Sequence, residues 1–181
     1  MVCDRRLGAV VGDEFIYRQL AAQGLTFEYH EHPAAPTVAL ALAYWKDIPA
    51  THCKNLFLRN HKGDRHYLLV AEGHKEVDIH ALEHLLHQGK LSFASGWRLE
   101  KYLGVKAGSV SPLGLVHDVR HEVMLYLDQD LRAAERLSFH PNDNRASLVL
   151  TQQAFRCYLD SLGVAYSYLD LQNPTEYGSA E

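Results

Sequence analysis

Histidine is the residue type in surplus: the 181-residue chain carries twelve. Three of them, His80, His84 and His87, stand at i, i+4 and i+7 and so project from one side of a helix, a spacing suited to metal ligands. At about 100° per residue, however, that side lies opposite Ile79, Leu82 and Leu86, so the same spacing describes the solvent face of an amphipathic helix. No metal or other cofactor is expected there. His117 and His121 repeat an HxxxH spacing, but Asp118, Val119 and Arg120 stand between them, without the glutamate of a zinc-protease helix. A solvated loop or strand entrance is the expected setting.

The common nucleophile and phosphate-loop patterns are missing. Neither GxSxG, GxxxxGK[ST] nor GxGxxG occurs. Cys3, Cys53 and Cys157 are odd in number and far apart, which excludes a disulfide framework and a CxxC knuckle. Cys53 precedes Lys54, and a cation beside a thiol can activate it, but a lone cysteine in a strand reads as a small buried hydrophobe. Lys54 carries more information. Strand alternation puts it on the side of Leu56 and Leu58, where a lysine can bury its stem and offer its ammonium to an anion at a pocket mouth. A simple solvent-facing strand end is the alternative. Two loops complete the candidates: GSVSP (Gly108 to Pro112), where Gly108 admits close approach to the backbone, and FHPNDN (Phe139 to Asn144), where His140 and two asparagines flank a rigid turn. Each loop alone is an ordinary turn.

The elements that must position these residues follow from periodicity. A helix is expected from Asp13 to Gln23, with Phe15, Ile16 and Leu20 on one stripe and Gly24 ending it. LTFEYHEH alternates as a short strand, and Thr37 caps a helix from Val38 to Trp45. CKNLFLRN and RHYLLVAEG form a hairpin around HKGD, with Gly63 at positive φ. Asp78 starts the next helix, and another carries Trp97, Leu99, Tyr102 and Leu103 up to Gly104. HEVMLYLDQDL reads as a strand covered on both faces, followed by strands at RLSFHP and ASLVL, a helix capped by Thr151, and a closing strand in VAYSYLDL. The fold class is α/β: a single domain with a mixed, largely antiparallel sheet flanked by helices, spanning 1–171, with a polar C-terminal tail at 172–181.

Composition narrows the function classes. Apolar residues at 47% and charged residues at 22% suffice for a packed core and exclude a disordered chain. A net charge of -4 excludes a general nucleic-acid coat, so an RNA partner must be met by a local basic patch. No run approaches the roughly 20 apolar residues of a membrane span, and no leader-like segment opens the sequence, so a cytoplasmic location without membrane contact is expected.

Taken in order, YHEHP with Thr37 following, CKNLFLRN with its hairpin, GSVSP as a GxxxP loop and FHPNDN as an HPxxN element resemble the prolyl-tRNA editing family of YbaK/ProX type. The resemblance runs from about Tyr29 to Leu169, and the wording of the hairpin is closest to the free-standing ProX branch. It implies an editing-domain fold and a trans-acting aminoacyl-tRNA deacylase, with alanine on proline tRNA as first substrate. Carried over residue by residue, Lys54 matches the functional lysine placed near the terminal adenosine's phosphate, Gly108 the glycine approaching the ester, and His140 the histidine orienting substrate or water. Ser109, Val110, Ser111 and Pro112 would shape the amino-acid pocket, and Asn144 would hold the His140 turn. Such chemistry needs no protein nucleophile, because the ester is already activated and the substrate's own ribose hydroxyl is available. The implied partners are the tRNA acceptor end, with Arg59, Lys62, Arg65 and either Lys101 or Lys106 as candidate phosphate contacts, and a transient prolyl-tRNA synthetase complex. Three other readings stay open: the same chemistry on cysteine, serine or another small aminoacyl group, a non-catalytic binder of aminoacyl-tRNA or synthetase, and a histidine-ligated metalloenzyme that chelator would silence.

Overall fold

Among the described residues, four of the five helices start at a side chain that satisfies a first-turn amide. Asp13 accepts from Phe15 N at the start of α1 (Glu14–Ala22), Thr37 from Leu40 N at α2 (Val38–Trp45), Asp78 from His80 N and Ala81 N at α3 (Ile79–Leu86), and Thr151 from Ala154 N at α5 (Gln152–Ser161). Only α4 (Gly96–Leu103) begins without a side-chain cap. The computed structural model describes residues 10–172, so Cys3 and the expected tail beyond Gln172 lie outside the described residues.

Eight strands form one mixed sheet: β1 (Glu28–Glu31), β2 (Thr51–Asn60), β3 (His66–Glu72), β4 (Leu91–Phe93), β5 (Val123–Asp128), β6 (Arg136–Phe139), β7 (Ala146–Thr151) and β8 (Tyr166–Leu169). The order is β1-β7-β6-β2-β3-β5-β8, with β4 beside β2. Four of its seven ladders are antiparallel, in line with the expected largely antiparallel sheet. The long strand β2 organises the centre. On one edge it pairs along its length with β3; on the other, β6 takes Thr51 and His52 while β4 takes Leu58 to Asn60. The intervening stretch of that edge has no strand beside it, and the sheet therefore opens at Lys54.

The two faces of the sheet are covered separately. Phe57, Leu68, Leu125, Leu148, Phe155 and Tyr158 belong to the larger core, to which α1, α4 and α5 contribute. Leu58, Tyr67, Leu69 and Leu91 pack with Leu82 and Leu85 of α3 on the other side. Burying one such leucine contributes about 1.5–3 kcal/mol. Tyr158 also donates its hydroxyl to the Leu113 carbonyl at 2.7 Å, fixing a 3₁₀ segment at Pro112–His117.

Two local expectations are corrected by packing. The buried stripe of α1 is Ile16, Tyr17 and Leu20; Phe15 is exposed and stands edge-on to the His117 ring. Strand β5 is buried along Val123, Leu125 and Leu127, but its second face is only partly covered, with Met124 exposed and Tyr126 half-buried. Strand β4 and the 3₁₀ turns at Pro112–His117 and Gln129–Ala133 were not foreseen, being too short to show a period.

Candidate functional site

Where the β2 edge is open, a cavity of about 190 Å³ lies between β2, helix α2 with the segment that leads into it, the Gly108 loop and His140. Ala35, Pro36, Thr37, Ala41 and Trp45 form one wall, Cys53 to Leu56 the floor, and Gly108, Val110 and His140 the remainder. The three residues expected to carry the chemistry, Lys54, Gly108 and His140, thus meet in one pocket despite being dozens of residues apart in sequence. Of the expected pocket-shaping loop, Val110 lines the cavity. Ser109, Ser111 and Pro112 do not: Ser111 is fully buried and accepts from Leu113 N at 3.2 Å, capping the 3₁₀ turn that Pro112 opens. For the two serines the reason is alternation in an extended segment, which turns successive side chains away from one another; Pro112 already belongs to the 3₁₀ turn.

The Gly108 loop is held from two sides. Asn55, beside Lys54 on β2, donates to the Val110 carbonyl at 2.9 Å and moors the Gly108 loop to the strand. Asn144 donates to the Gly108 carbonyl at 3.3 Å from the other side, and its own carbonyl accepts from Ala35 N at 3.0 Å. The two asparagines of FHPNDN thus take different roles. Asn144 serves the pocket, while Asn142, at φ 59°, reaches away to the Leu103 carbonyl and Asp13. Gly108 is at φ 87°, where a side chain is strained, and a Cβ there would stand 3.1 Å from Pro36 Cβ, so glycine suits both the turn and the close approach to the pocket wall.

His140 is half-buried and its Nδ1 lies 2.9 Å from the Ala146 carbonyl, which can only accept. The ring therefore donates through Nδ1, leaving Nε2 as an acceptor when neutral. Burial holds its pKa below the ordinary histidine value, against the opposing pull of that carbonyl. Behind Trp45, the His52 ring stacks at 4.6 Å and lies within hydrogen-bond distance of the Trp45 and Ile48 carbonyls. Burial lowers the Lys54 pKa as well, opposed by Glu76 and Asp128. Burial also pushes the Cys53 thiol up, so Cys53 is the inert small hydrophobe that its strand position predicts.

Among the described residues no carboxylate lines the pocket, and the one hydroxyl side chain in its lining, Thr37, accepts from Leu40 N at the cap of α2. What the arrangement can do is bind an anion at Lys54, accept a proton or orient a hydroxyl at His140, and hold a small apolar group against Ala41, Trp45 and Val110. The sequence signal that could have found Asn55 is its polar amide on the strand face shared with Cys53 and Phe57, since such a group demands a partner. Trp45 and Ala41 gave no such signal, because helix α2 is apolar all round and its pocket face is chosen only by docking.

The other histidines fall into place around this site. His80 and His84 are exposed on α3 with their rings 4.7 Å apart, and His87 leaves the helix at φ 51°. Among the described residues no group of three or more metal-type side chains converges. His117 is not the solvated residue expected of it; it is half-buried and its Nε2 meets Asp13 at 2.6 Å. His66 is buried against Tyr102 and Arg98, and burial first, then the Arg98 and Lys101 charges, lower its pKa to about 4.

With His52, His66 and His140 all lowered, the folded chain binds fewer protons than the unfolded chain below about pH 6.5, so stability rises with pH there. Their contribution is complete above about pH 6.5 and is lost as pH falls toward the folded values. Between about pH 6.5 and 5 ordinary carboxylates remain ionised, so the histidines govern the change. The urea midpoint is expected to fall across this window and to fall less steeply in His66→Gln. An unchanged slope in that variant contradicts the neutral, buried His66.

Comparison with known proteins agrees with this geometry. Residues 32–157, more than half of the chain, match the family model described as "Aminoacyl-tRNA editing domain". The prolyl-tRNA editing protein ProX of Acetoanaerobium sticklandii is 39% identical over 118 residues, covering 65% of this chain and 72% of that protein. The prolyl-tRNA synthetase associated domain-containing protein 1 of Xenopus laevis is 32% identical over 137 residues, covering 74% and 81% respectively. Among solved structures, a candidate trans-editing enzyme for prolyl-tRNA synthetase superposes with a TM-score of 0.65 at 23% identity over 88% of this chain and 97% of its own, a likeness of fold. With the lysine, glycine and histidine of the expected motifs gathered in one pocket and the family model spanning the elements that gather them, the chain belongs to the aminoacyl-tRNA editing domain family.

Proposed function

We propose that this protein is a trans-acting editing deacylase that hydrolyses the ester of mischarged tRNA, with alanine on proline tRNA as its first substrate. The deacylase class follows from the family; the observation that carries the finer reading is a small pocket that pairs a cation, Lys54, with a neutral histidine, His140, and contains no activated nucleophile. An aminoacyl ester is already reactive, so positioning a water or the neighbouring ribose hydroxyl suffices. In this mechanism the Lys54 ammonium takes the phosphate of the terminal nucleotide and sets the ester over the floor of β2. The backbone of the Gly108 loop, held by Asn55 and Asn144, closes on the ester, and His140 Nε2 orients the attacking oxygen. Ala41, Trp45 and Val110 border the side-chain space. A wall of this kind refuses a proline ring by steric exclusion, whereas attraction alone separates one methylene by only about 1–3 kcal/mol.

Among the described residues no helix is long and apolar enough to cross a membrane. A cytoplasmic site of action, a transient complex with prolyl-tRNA synthetase and phosphate contacts from exposed basic residues belong to the same proposal.

Hydrolysis of alanyl-, cysteinyl-, seryl- and prolyl-tRNA(Pro) tests it. Alanyl-tRNA is expected to be cleaved fastest and prolyl-tRNA to survive, with the rate falling as salt rises and indifferent to chelator. Preferential cleavage of the cysteinyl or seryl ester replaces the substrate and keeps the chemistry. Cleavage of none, with retained binding, makes the protein a non-catalytic binder.

A further inference from the structure

The long strand β2 joins the pocket to a second surface that the pocket chemistry does not use. Lys54, Leu56 and Leu58 alternate onto one face of the sheet, and Phe93 of β4 stands directly opposite Leu58 in the antiparallel register, so its ring emerges on that same face. Its neighbour on this face, Leu91, is buried under α3, but Phe93 is 64% exposed on a strand where a large aromatic has no packing role. From Lys54 to the level of Phe93 is four residues of strand and one strand spacing, about 14 Å. A stacked nucleic-acid strand at about 3.4 Å per nucleotide covers that distance in about four nucleotides, and an extended one in fewer.

Beyond Phe93, where β2 turns into β3, the surface is basic. His61, Lys62, Arg65, His87 and Lys90 are exposed around one groove, and the acidic residue among them, Asp64, is engaged by Asn60 at 2.7 Å. In a chain of net charge -4 this is a local reversal of sign, and it complements a phosphate backbone.

We propose that Phe93 is a stacking platform for an upstream base of the single-stranded 3′ end whose last nucleotide carries the ester at Lys54. The inference rests on the deacylase reading and adds a direction to it: the strand leaves the pocket along β2, lays a base on Phe93 and passes its phosphates to the basic tip. The bond is to the π-face of a base and selects single-stranded nucleic acid with little regard to sequence. Trp97 provides the contrast. It is 57% exposed, but it sits on α4, which packs against the opposite face of the sheet through Leu99, Tyr102 and Leu103.

Two measurements on the full chain test the platform. The first is the ratio of kcat/KM for alanyl-tRNA to that for alanyl-adenosine, which lacks the upstream nucleotides. Phe93→Ala is expected to lower this ratio about 5- to 100-fold, chiefly through KM; Phe93→Tyr should restore it and Phe93→Leu, apolar without a π-face, should not. Trp97→Ala should leave it near the native value. The second is the affinity for an uncharged RNA tetranucleotide ending in CCA, which should fall in the same order of variants. If native protein cleaves neither ester but binds the tetranucleotide through Phe93, the deacylase reading fails and the platform stands. If the protein cleaves both esters and the ratio is indifferent to Phe93, the platform fails and the deacylase reading stands. Equal rescue by leucine, or no tetranucleotide binding, also overturns the platform; a ring needed only for a protein partner gives that last result.

Discussion

Lys54→Ala is expected to lower kcat/KM for alanyl-tRNA about 10²- to 10³-fold, the loss that follows removal of one preorganised charged donor from a partly dry site. The fold should scarcely notice. Burial lowers the pKa of Lys54, which means that its charge is held in the pocket floor at some cost, and an alanine removes that cost together with the anion contact. The urea midpoint of the variant is therefore expected at or slightly above that of the native protein. Lys54→Arg keeps a positive charge but places a broad planar fork where a compact ammonium stood, so recovery should be partial. The measurement is a pair, deacylation kinetics and urea unfolding on the same preparation. Activity that survives in Lys54→Ala removes this residue from the site, and a fall in both stability and activity makes its role structural.

Gly108→Ala carries the second large expectation, and it should move both readouts. At φ 87° a side chain is strained whatever the surroundings, at a cost of about 1–2 kcal/mol. The surroundings are also tight, because the new Cβ would approach Pro36 Cβ to 3.1 Å and Pro36 Cα and carbonyl oxygen to 3.3 Å. Those atoms belong to the segment that leads through Thr37 into α2, so relief of the contact displaces the wall bearing Ala41 and Trp45. We expect a loss of about 10-fold or more in kcat/KM beyond any fraction unfolded, since a small misplacement of positioning groups costs on the order of 10²-fold. Asn144→Ala, which frees the Gly108 carbonyl without adding bulk, should reproduce part of the kinetic loss with little backbone strain. Native kinetics in Gly108→Ala would show that the close approach of loop and wall is irrelevant to turnover.

How much of this could be read beforehand depends on whether the deciding interaction is local. The caps at Asp13, Thr37, Asp78 and Thr151 and the hairpin at Gly63 are set by residues within a few positions of one another, and they stand where the sequence put them. The face of α3 follows for the same reason, since helical periodicity alone places His80 and His84 opposite the buried Leu82 and Leu85. His117 was misjudged because its partner, Asp13, lies 104 residues away. Ser111 was misjudged because a 3₁₀ turn too short to show a period claimed its hydroxyl and turned it from the pocket.

By itself, then, the sequence determined the element types, the ordered motifs that carry the family likeness, and the identity of Lys54, Gly108 and His140 as the residues worth testing. Only the tertiary structure decided that they share a pocket, that Asn55 and Asn144 moor its loop from two sides, and that Trp45 and Ala41 of α2 form its wall. The physical reason lies in β2. One edge of that strand is shared between β6 and β4, and the opening left between them exists only once residues 51–60, 91–93 and 136–139 have paired. Periodicity reports which face of an element is apolar, but not which elements will be neighbours.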